Sequence, residues 1–232
     1  MPQQRDRMMK GQRLKVGKLL SSTTRIVDSV YETLRKEILS GKLSAGQQLS
    51  VPELARQLSV SRSPVREAVL QLVADGLALE NPRKGVAVKT IEIDDLLEIH
   101  EVREPVEGLS ARLCAERIDP EGIGALREIL DRQRVCVEQS DGRGYFETNL
   151  AFHEALARFT RNNRLQEVVR SLGDQMRIGL RQVASDVHQQ RRGILEHAQI
   201  LKAIERHDSE RAESLMRTHI AKTRDRLAKQ AT

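Results

Sequence analysis

SRSPVRE, residues Ser61 to Glu67, stands between two short segments of helical apolar spacing. The first, Val51-Pro52-Glu53-Leu54-Ala55-Arg56-Gln57-Leu58, ends a few residues ahead of it, and the second runs on from it through Leu72. Two short helices around a tight break are the grammar of a helix-turn-helix. The second helix starts with hydroxyls, a proline and two arginines, which suits an end pushed into a DNA groove. The prolyl ring stiffens the first turn, while free amides and the hydroxyls of Ser61 and Ser63 can hold phosphates. Arg62 and Arg66 are four apart and project from one face.

Working outward, Ile26, Val27, Val30, Leu34, Ile38 and Leu39 follow helical spacing from Thr24, and Gly41 is placed to end that helix. Ala45-Gly46 reads as a turn, and Ser50 with Glu53 three residues on is a capping-box signature for a helix ending near Leu58. The next helix begins within residues 61 to 64 and ends at Asp75-Gly76. Leu77 and Leu79 then alternate with other residues, Asn81-Pro82-Arg83-Lys84-Gly85 reads as a turn, and Val86 and Val88 alternate again, which predicts a hairpin wing.

These residues carry a resemblance. Residues 31 to 89 resemble the winged helix-turn-helix of GntR-type bacterial transcription regulators, through LRKEILSGKLSAGQQLS, ELARQLSVSRSPVREAVLQLVADGL and RKGVAV. The resemblance implies that Arg62 and Arg66 read base edges, with guanine O6 and N7 matching the guanidinium fork. It places Ser61 and Ser63 on phosphates, and lets the wing backbone at Gly85 approach the minor groove with Arg83 and Lys84 beside it. The closest-studied type in the subgroup has a further arginine just before the Glu-Leu of its second helix. This chain has Pro52 there, so the operator sequence does not carry over.

Composition frames the rest. The 232 residues suffice for two domains, and with 2 % aromatics, no Trp and 31 % charged residues they favour exposed amphipathic helices over a β-sandwich. Residues 1 to 90 hold 16 Lys+Arg against 8 Asp+Glu, a surplus of +8, and the remainder 23 against 25, or −2. A basic front half on a near-neutral back half fits a nucleic-acid module joined to something else. Cys114 and Cys136 lie far from any CxxC spacing and read as reduced core residues. Residues 1 to 22 read as a disordered basic arm. No apolar run approaches the ~18 residues of a membrane span or forms a signal peptide, so the expected location is cytoplasmic, away from any membrane.

The expected domains are a DNA-binding unit over 23 to 90, a linker over 91 to 94 with Asp94 capping the next helix, and an all-helical unit over 95 to 229. Its helices are expected over about 95 to 117, 121 to 140, 145 to 160, 164 to 184, 187 to 206 and 209 to 229, with a break near Ser185. Asp119-Pro120, Asp141-Gly142-Arg143-Gly144, Asn162-Asn163 and His207-Asp208 punctuate them. Short connections imply an antiparallel six-helix bundle with an internal cavity. The fold class is therefore mainly α, a winged helix-turn-helix with a small β-hairpin wing followed by that bundle.

The back half is similar to the all-helical FCD effector domain, which defines the FadR subgroup of GntR regulators. The pattern is Val102-Arg103-Glu104-Pro105-Val106-Glu107, then Asn149-Leu150-Ala151-Phe152-His153, Glu196-His197 and His219. The resemblance implies a divalent metal, zinc or nickel, on Asn149, His153, His197 and His219; Asn149 stands where the family often has Asp. Asn149 and His153 are four apart on one helix and project together. His100, His188 and His207 are expected at the surface or in packing. Arg103 is either an anion anchor for a small carboxylate effector or a structural ion pair with Glu107, and Arg177 and Arg181 are weaker anchors. The family precedent implies a homodimeric repressor on double-stranded DNA, at an inverted-repeat operator released by a small organic acid. The rival is a metal-dependent enzyme with an appended DNA-binding domain. Glu154 and Glu196, as chain neighbours of ligands, are expected to point away from the metal.

Overall fold

The computed structural model describes residues 20–180 and 187–229. Helix α1 (Leu20–Ser40) starts four residues before the expected Thr24, so the end of the predicted arm is helical, while residues 1 to 19 of that arm lie outside the described residues. Its inner stripe is Val27, Val30, Tyr31, Leu34 and Ile38, and Ile26, expected inside, is 44 % exposed on the other face. Gly41, at φ 77°, closes the helix.

Helix α2 (Val51–Leu58) and helix α3 (Arg62–Ala74) form the helix-turn-helix. The capping box expected at α2 does not form. Ser50 occupies the cap position without a side-chain bond, and the Glu53 carboxylate is taken by Arg56 at 2.7 Å and Gln57 at 2.8 Å further along the helix. After α3, Gly76 adopts φ 72°, a left-handed conformation that favours glycine, and the end of the Gln175 side chain lies 2.9 Å from where a Cβ would stand.

Strands β1 (Ala78–Asn81) and β2 (Gly85–Val88) pair antiparallel, Ala78 opposite Val88 and Asn81 opposite Gly85. Leu77 is fully buried, but Leu79 is 52 % exposed, contrary to the alternation read from sequence. Ala78 is the residue that turns inward from β1, and a two-stranded wing leaves its outer face without a covering layer.

Six helices follow: α4 (Ile93–Arg117), α5 (Pro120–Glu138), α6 (Gly142–Phe159), α7 (Asn163–Gly179), α8 (Val187–Glu205) and α9 (Ser209–Ala228). The cap of α4 is Glu92, not Asp94. Glu92 and Asp95 form a reciprocal capping box, which draws the expected linker into the helix start, and Ile91 is buried. The other punctuation marks are caps: Asp119, Asp141, Asn162 and Asp208 each accept a hydrogen bond from a first-turn amide. Helix α7 stops at Gly179, short of the expected 184. Residues 181 to 186, with Arg181 and the break near Ser185, lie outside the described residues.

Within the bundle, α4 lies along α9, and α5 packs on α6 and α8. One apolar cluster, with Phe152, Ile200, Ile204, Met216 and Ile220, fills its interior. A second joins the two halves of the chain, uniting Leu34, Leu72 and Leu77 with Leu96, Leu150, Met176 and Leu227. Beside it α7 docks on the DNA-binding half. Arg35 of α1 holds Asp174 through two bonds of 2.5 and 2.7 Å, and Ser171 and Gln175 each donate to the Asp75 carbonyl at 3.2 Å.

Candidate metal centre and nucleic-acid interface

At the nucleic-acid face, α3 is anchored by Val65, Ala68, Val69 and Leu72, all buried, which turns Ser61, Arg62, Ser63 and Arg66 outward into solvent. Ser61 caps α3 by position without bonding to it, so its hydroxyl and the first-turn amides remain available to an anion. At the wing tip, Lys84 donates from its amide to the Asn81 carbonyl at 3.0 Å. That closes a turn with Pro82 second and Arg83 third, Arg83 at φ 67° and Gly85 at φ 84°. Arg83, Lys84 and Gly85 are exposed, and one cleft between α3 and the wing is lined by both Arg66 and Lys84. The six basic and hydroxyl side chains of the recognition helix and wing, Ser61, Arg62, Ser63, Arg66, Arg83 and Lys84, are thus all open to solvent.

In the bundle, His153 of α6, His197 of α8 and His219 of α9 come together, their ligand nitrogens within 4.8 Å of one another. All three are buried. Each has its Nδ1 against an acceptor: His197 against Gln133 Oε1 at 3.0 Å, His219 against Glu196 Oε2 at 2.7 Å, and His153 against Glu107 Oε2. A proton on each Nδ1 leaves the Nε2 lone pairs free. Those of His197 and His219 face each other at 3.3 Å, and His153 Nε2 is buried without a partner. Converging lone pairs in a dry interior are unfavourable unless a cation lies between them, so the donor set fits a divalent ion. Burial holds the His197 and His219 imidazoles below their usual range, which keeps them neutral, as metal ligands must be.

Asn149, one turn before His153, accepts weakly from Gln133 Nε2 at 3.5 Å. Gln133 is fully buried and so steers both His197 and Asn149. Sequence reasoning missed it, although a lone amide in the stripe Leu126, Ile129, Leu130, Val137 was a visible signal. Glu196 lies off the converging nitrogens, as expected of a chain neighbour of a ligand, but it reaches the facing helix α9 and holds His219 through Nδ1. Burial acts to raise the Glu196 carboxyl, but His219 and then Arg226 hold it below the usual range. Glu154 does point elsewhere, to Arg177 at 3.0 Å.

Arg103 forms the expected ion pair, its Nε on Glu107 Oε1 at 2.5 Å, with both residues buried. Burial pushes the Glu107 carboxyl up, and the Arg103 charge followed by His153 overcomes this and holds it well below the usual carboxylate range. Arg177 is spent on Glu147, Glu154 and Asp174.

A cavity of about 510 Å³ opens on this centre. Arg103, Asn149, His153 and His219 line it, with Leu150, Met176 and Leu227 as apolar wall, and Leu39 of α1 completes it from the DNA-binding half. His100, also in the lining, is 1 % exposed, and burial lowers its imidazole to about 4. It was expected to be a surface or packing residue. His207 packs through Nδ1 on the Ala115 carbonyl at 2.8 Å, and His188 is exposed.

The family model described as "Bacterial regulatory proteins, gntR family" matches residues 26–88, and that of the FCD domain matches 98–222. The chain belongs to the GntR family of transcription regulators, with an FCD domain. Among curated relatives of this GntR regulator, the "Probable D-xylose utilization operon transcriptional repressor" of Paenarthrobacter nicotinovorans is 29 % identical, covering 88 % of this chain and 89 % of that one. The "HTH-type transcriptional repressor RspR" of Escherichia coli is 26 % identical, over 87 % of this chain and 88 % of the relative. Among solved structures, "E. coli McbR/YncC" superposes with a TM-score of 0.74 at 25 % identity, covering 89 % of this chain and 99 % of that one. The regulator binds DNA, and the metal-dependent enzyme considered from sequence gives way to it, since these relatives are named as repressors and regulators. FCD domains are often metal-binding, and the His triad here is able to hold an ion. GntR regulators typically act as dimers. Among the described residues no helix is long and apolar enough to cross a membrane.

Proposed function

We propose that this regulator is a repressor whose operator affinity is set by a small carboxylate bound at a divalent ion in the bundle cavity. Asn149, His153, His197 and His219 would hold the ion, zinc or nickel by their chemistry. The ion supplies positive charge for an anionic ligand. Arg103, its Nε occupied by Glu107, has further guanidinium N–H groups to offer the carboxylate. The supporting observation is the set of three imidazoles with Nδ1 held by Glu107, Gln133 and Glu196, in a cavity that Leu39 of the DNA-binding half helps to wall.

A ligand filling that cavity presses on α1 and shifts the docking of the DNA-binding half, so the two dockings differ in ligand affinity. As a homodimer the protein would span an inverted-repeat operator, with Arg62 and Arg66 on bases, Ser61 and Ser63 on phosphates, and Arg83, Lys84 and Gly85 at the minor groove. The names of the two repressor relatives support the sense of control. The test is elemental analysis and operator binding of the parent, His197→Ala and His219→Ala proteins. The variants should lose stoichiometric metal and keep operator binding. A parent that takes up no ion on reconstitution overturns the metal reading.

A further inference from the structure

Two clefts flank the start of α3. Arg66 and Lys84 line the one on the wing side, and on the other side Pro52, Glu53 and Arg56 of α2 face Ser61 and Arg62. Arg56 thus stands across a cleft from Arg62, although it belongs to the preceding helix, and its side chain is 75 % exposed.

Arg56 does not hang free. Its Nε donates to Glu53 Oε2 at 3.1 Å and its Nη2 to Glu53 Oε1 at 2.7 Å, a side-on fork that fixes the plane of the guanidinium. Gln57 Nε2 donates to the same Oε1 at 2.8 Å, so the carboxylate is itself tied down from one turn along the helix. The bond from Arg56, and then that from Gln57, holds the Glu53 carboxyl below its usual range, and the brace stays charged. The pair occupies only the Nε edge of the guanidinium. The other edge, Nη1 with the second Nη2 hydrogen, has no acceptor among the described residues.

Charge decides what that edge can serve. A phosphate contact works by positive charge, which releases counterions from DNA, and it carries no sequence information. Arg56 with Glu53 beside it is close to neutral as a unit, and an ion pair this exposed adds little to the fold. A carboxylate at the DNA face is, moreover, repelled by the backbone. What the pair provides is aim. Two parallel N–H groups held at a fixed angle suit a base edge, and guanine offers O6 and N7 side by side in the major groove.

We propose that Arg56 is a third base-reading arginine, set on a guanine edge near the base pair read by Arg62, with Glu53 as the positioning residue that aims it. The proposal rests on the operator reading above, which gives Arg62 and Arg66 to bases, and extends the reading surface from α3 onto α2.

The test uses the full-length protein to select from a library of randomised duplexes, after which the preferred duplex and its single-base-pair variants are titrated with each protein. The parent should enrich a G·C pair in each half-site that Arg56→Ala discriminates about tenfold less well, while the preferences lost in Arg62→Ala and Arg66→Ala stay in place. Arg56→Lys keeps the charge and loses the fork, so it should fall with the alanine protein. Glu53→Ala takes a negative charge off the DNA face. It should therefore bind all duplexes at least as tightly as the parent and yet discriminate less at that same G·C pair. Unchanged preference in Arg56→Ala overturns the proposal, whether affinity falls evenly, as for a phosphate contact, or not at all. Full discrimination in Glu53→Ala or Arg56→Lys overturns it too, because the brace or the fork is then not what reads the base. In either case the operator reading survives if Arg62→Ala and Arg66→Ala still lose their own base pairs. A parent that enriches no duplex overturns both.

Discussion

Asn149 brings an amide to a position where the family often has a carboxylate, and the electrostatics of the centre turn on that one substitution. With three neutral imidazoles and a neutral amide, the bound ion would keep its full charge for an anionic ligand. Asn149→Asp should then bind zinc about tenfold or more tightly and the carboxylate correspondingly less tightly, measured by calorimetry with metal saturating. Equal or tighter carboxylate binding in the Asp protein would mean that the ion's charge is not what recruits the effector. The same imidazoles set an acid limit. Burial lowers His100 to about 4 and His197 and His219 below their usual range, so the metal-free fold binds fewer protons than the unfolded chain. Unfolded imidazole titrates near ~6.5. The stability these residues contribute is full above that pH and is lost as pH falls toward the folded values. Urea midpoints of chelated protein should drop between about pH 7 and about pH 5, and those of zinc-loaded protein should start higher and drop at least as much, because ligation keeps the imidazoles unprotonated and acid releases the ion. A flat profile in the chelated protein would mean that these imidazoles are already charged when folded.

At the scale of elements, the recognition helix and the wing face one way but do different work. Arg66→Ala should lose roughly 1–3 kcal/mol of discrimination at its base pair, whereas Lys84→Ala should weaken all sequences evenly and flatten the salt dependence. Binding across operator variants at several salt concentrations separates the two, and unchanged sequence preference in Arg66→Ala would remove it from base readout. The helices themselves were legible in the chain because their stops are local chemistry. Asp119, Asp141, Asn162 and Asp208 mark the breaks and are the caps. Ser50 misled for the same local reason, since Glu53 had the equally local alternative of Arg56 and Gln57. The three histidines were legible through resemblance, but Glu107, Gln133 and Glu196 were not, because each reaches its imidazole across helices far apart in sequence.

For the molecule as a whole, the informative contact is Asp174, nearly buried, with Arg35 from the DNA-binding half on one side and Arg177 on the other. Arg177 continues to Glu147 and Glu154 on α6, the helix that carries Asn149 and His153. Asp174→Asn leaves two guanidinium groups short of a partner and should cost on the order of 3 kcal/mol. Its operator binding should survive at low temperature while its response to effector shrinks, read as the ratio of operator affinities with and without ligand. An undiminished ratio would show that this ion-pair chain does not carry the coupling. The apolar cluster that runs from Leu34 and Leu72 into Met176 and Leu227 has a different consequence. A reading head that shares its core with the sensor cannot melt by itself. Heating should give one cooperative transition, and amide exchange in α3 should slow when only the distant cavity is filled. Excised to residues 23 to 90, the head would lose Arg170 from Tyr31 and Ser171 and Gln175 from the turn at Asp75-Gly76, so a chimera grafting it onto a foreign sensor would have to bring the face of α7 along.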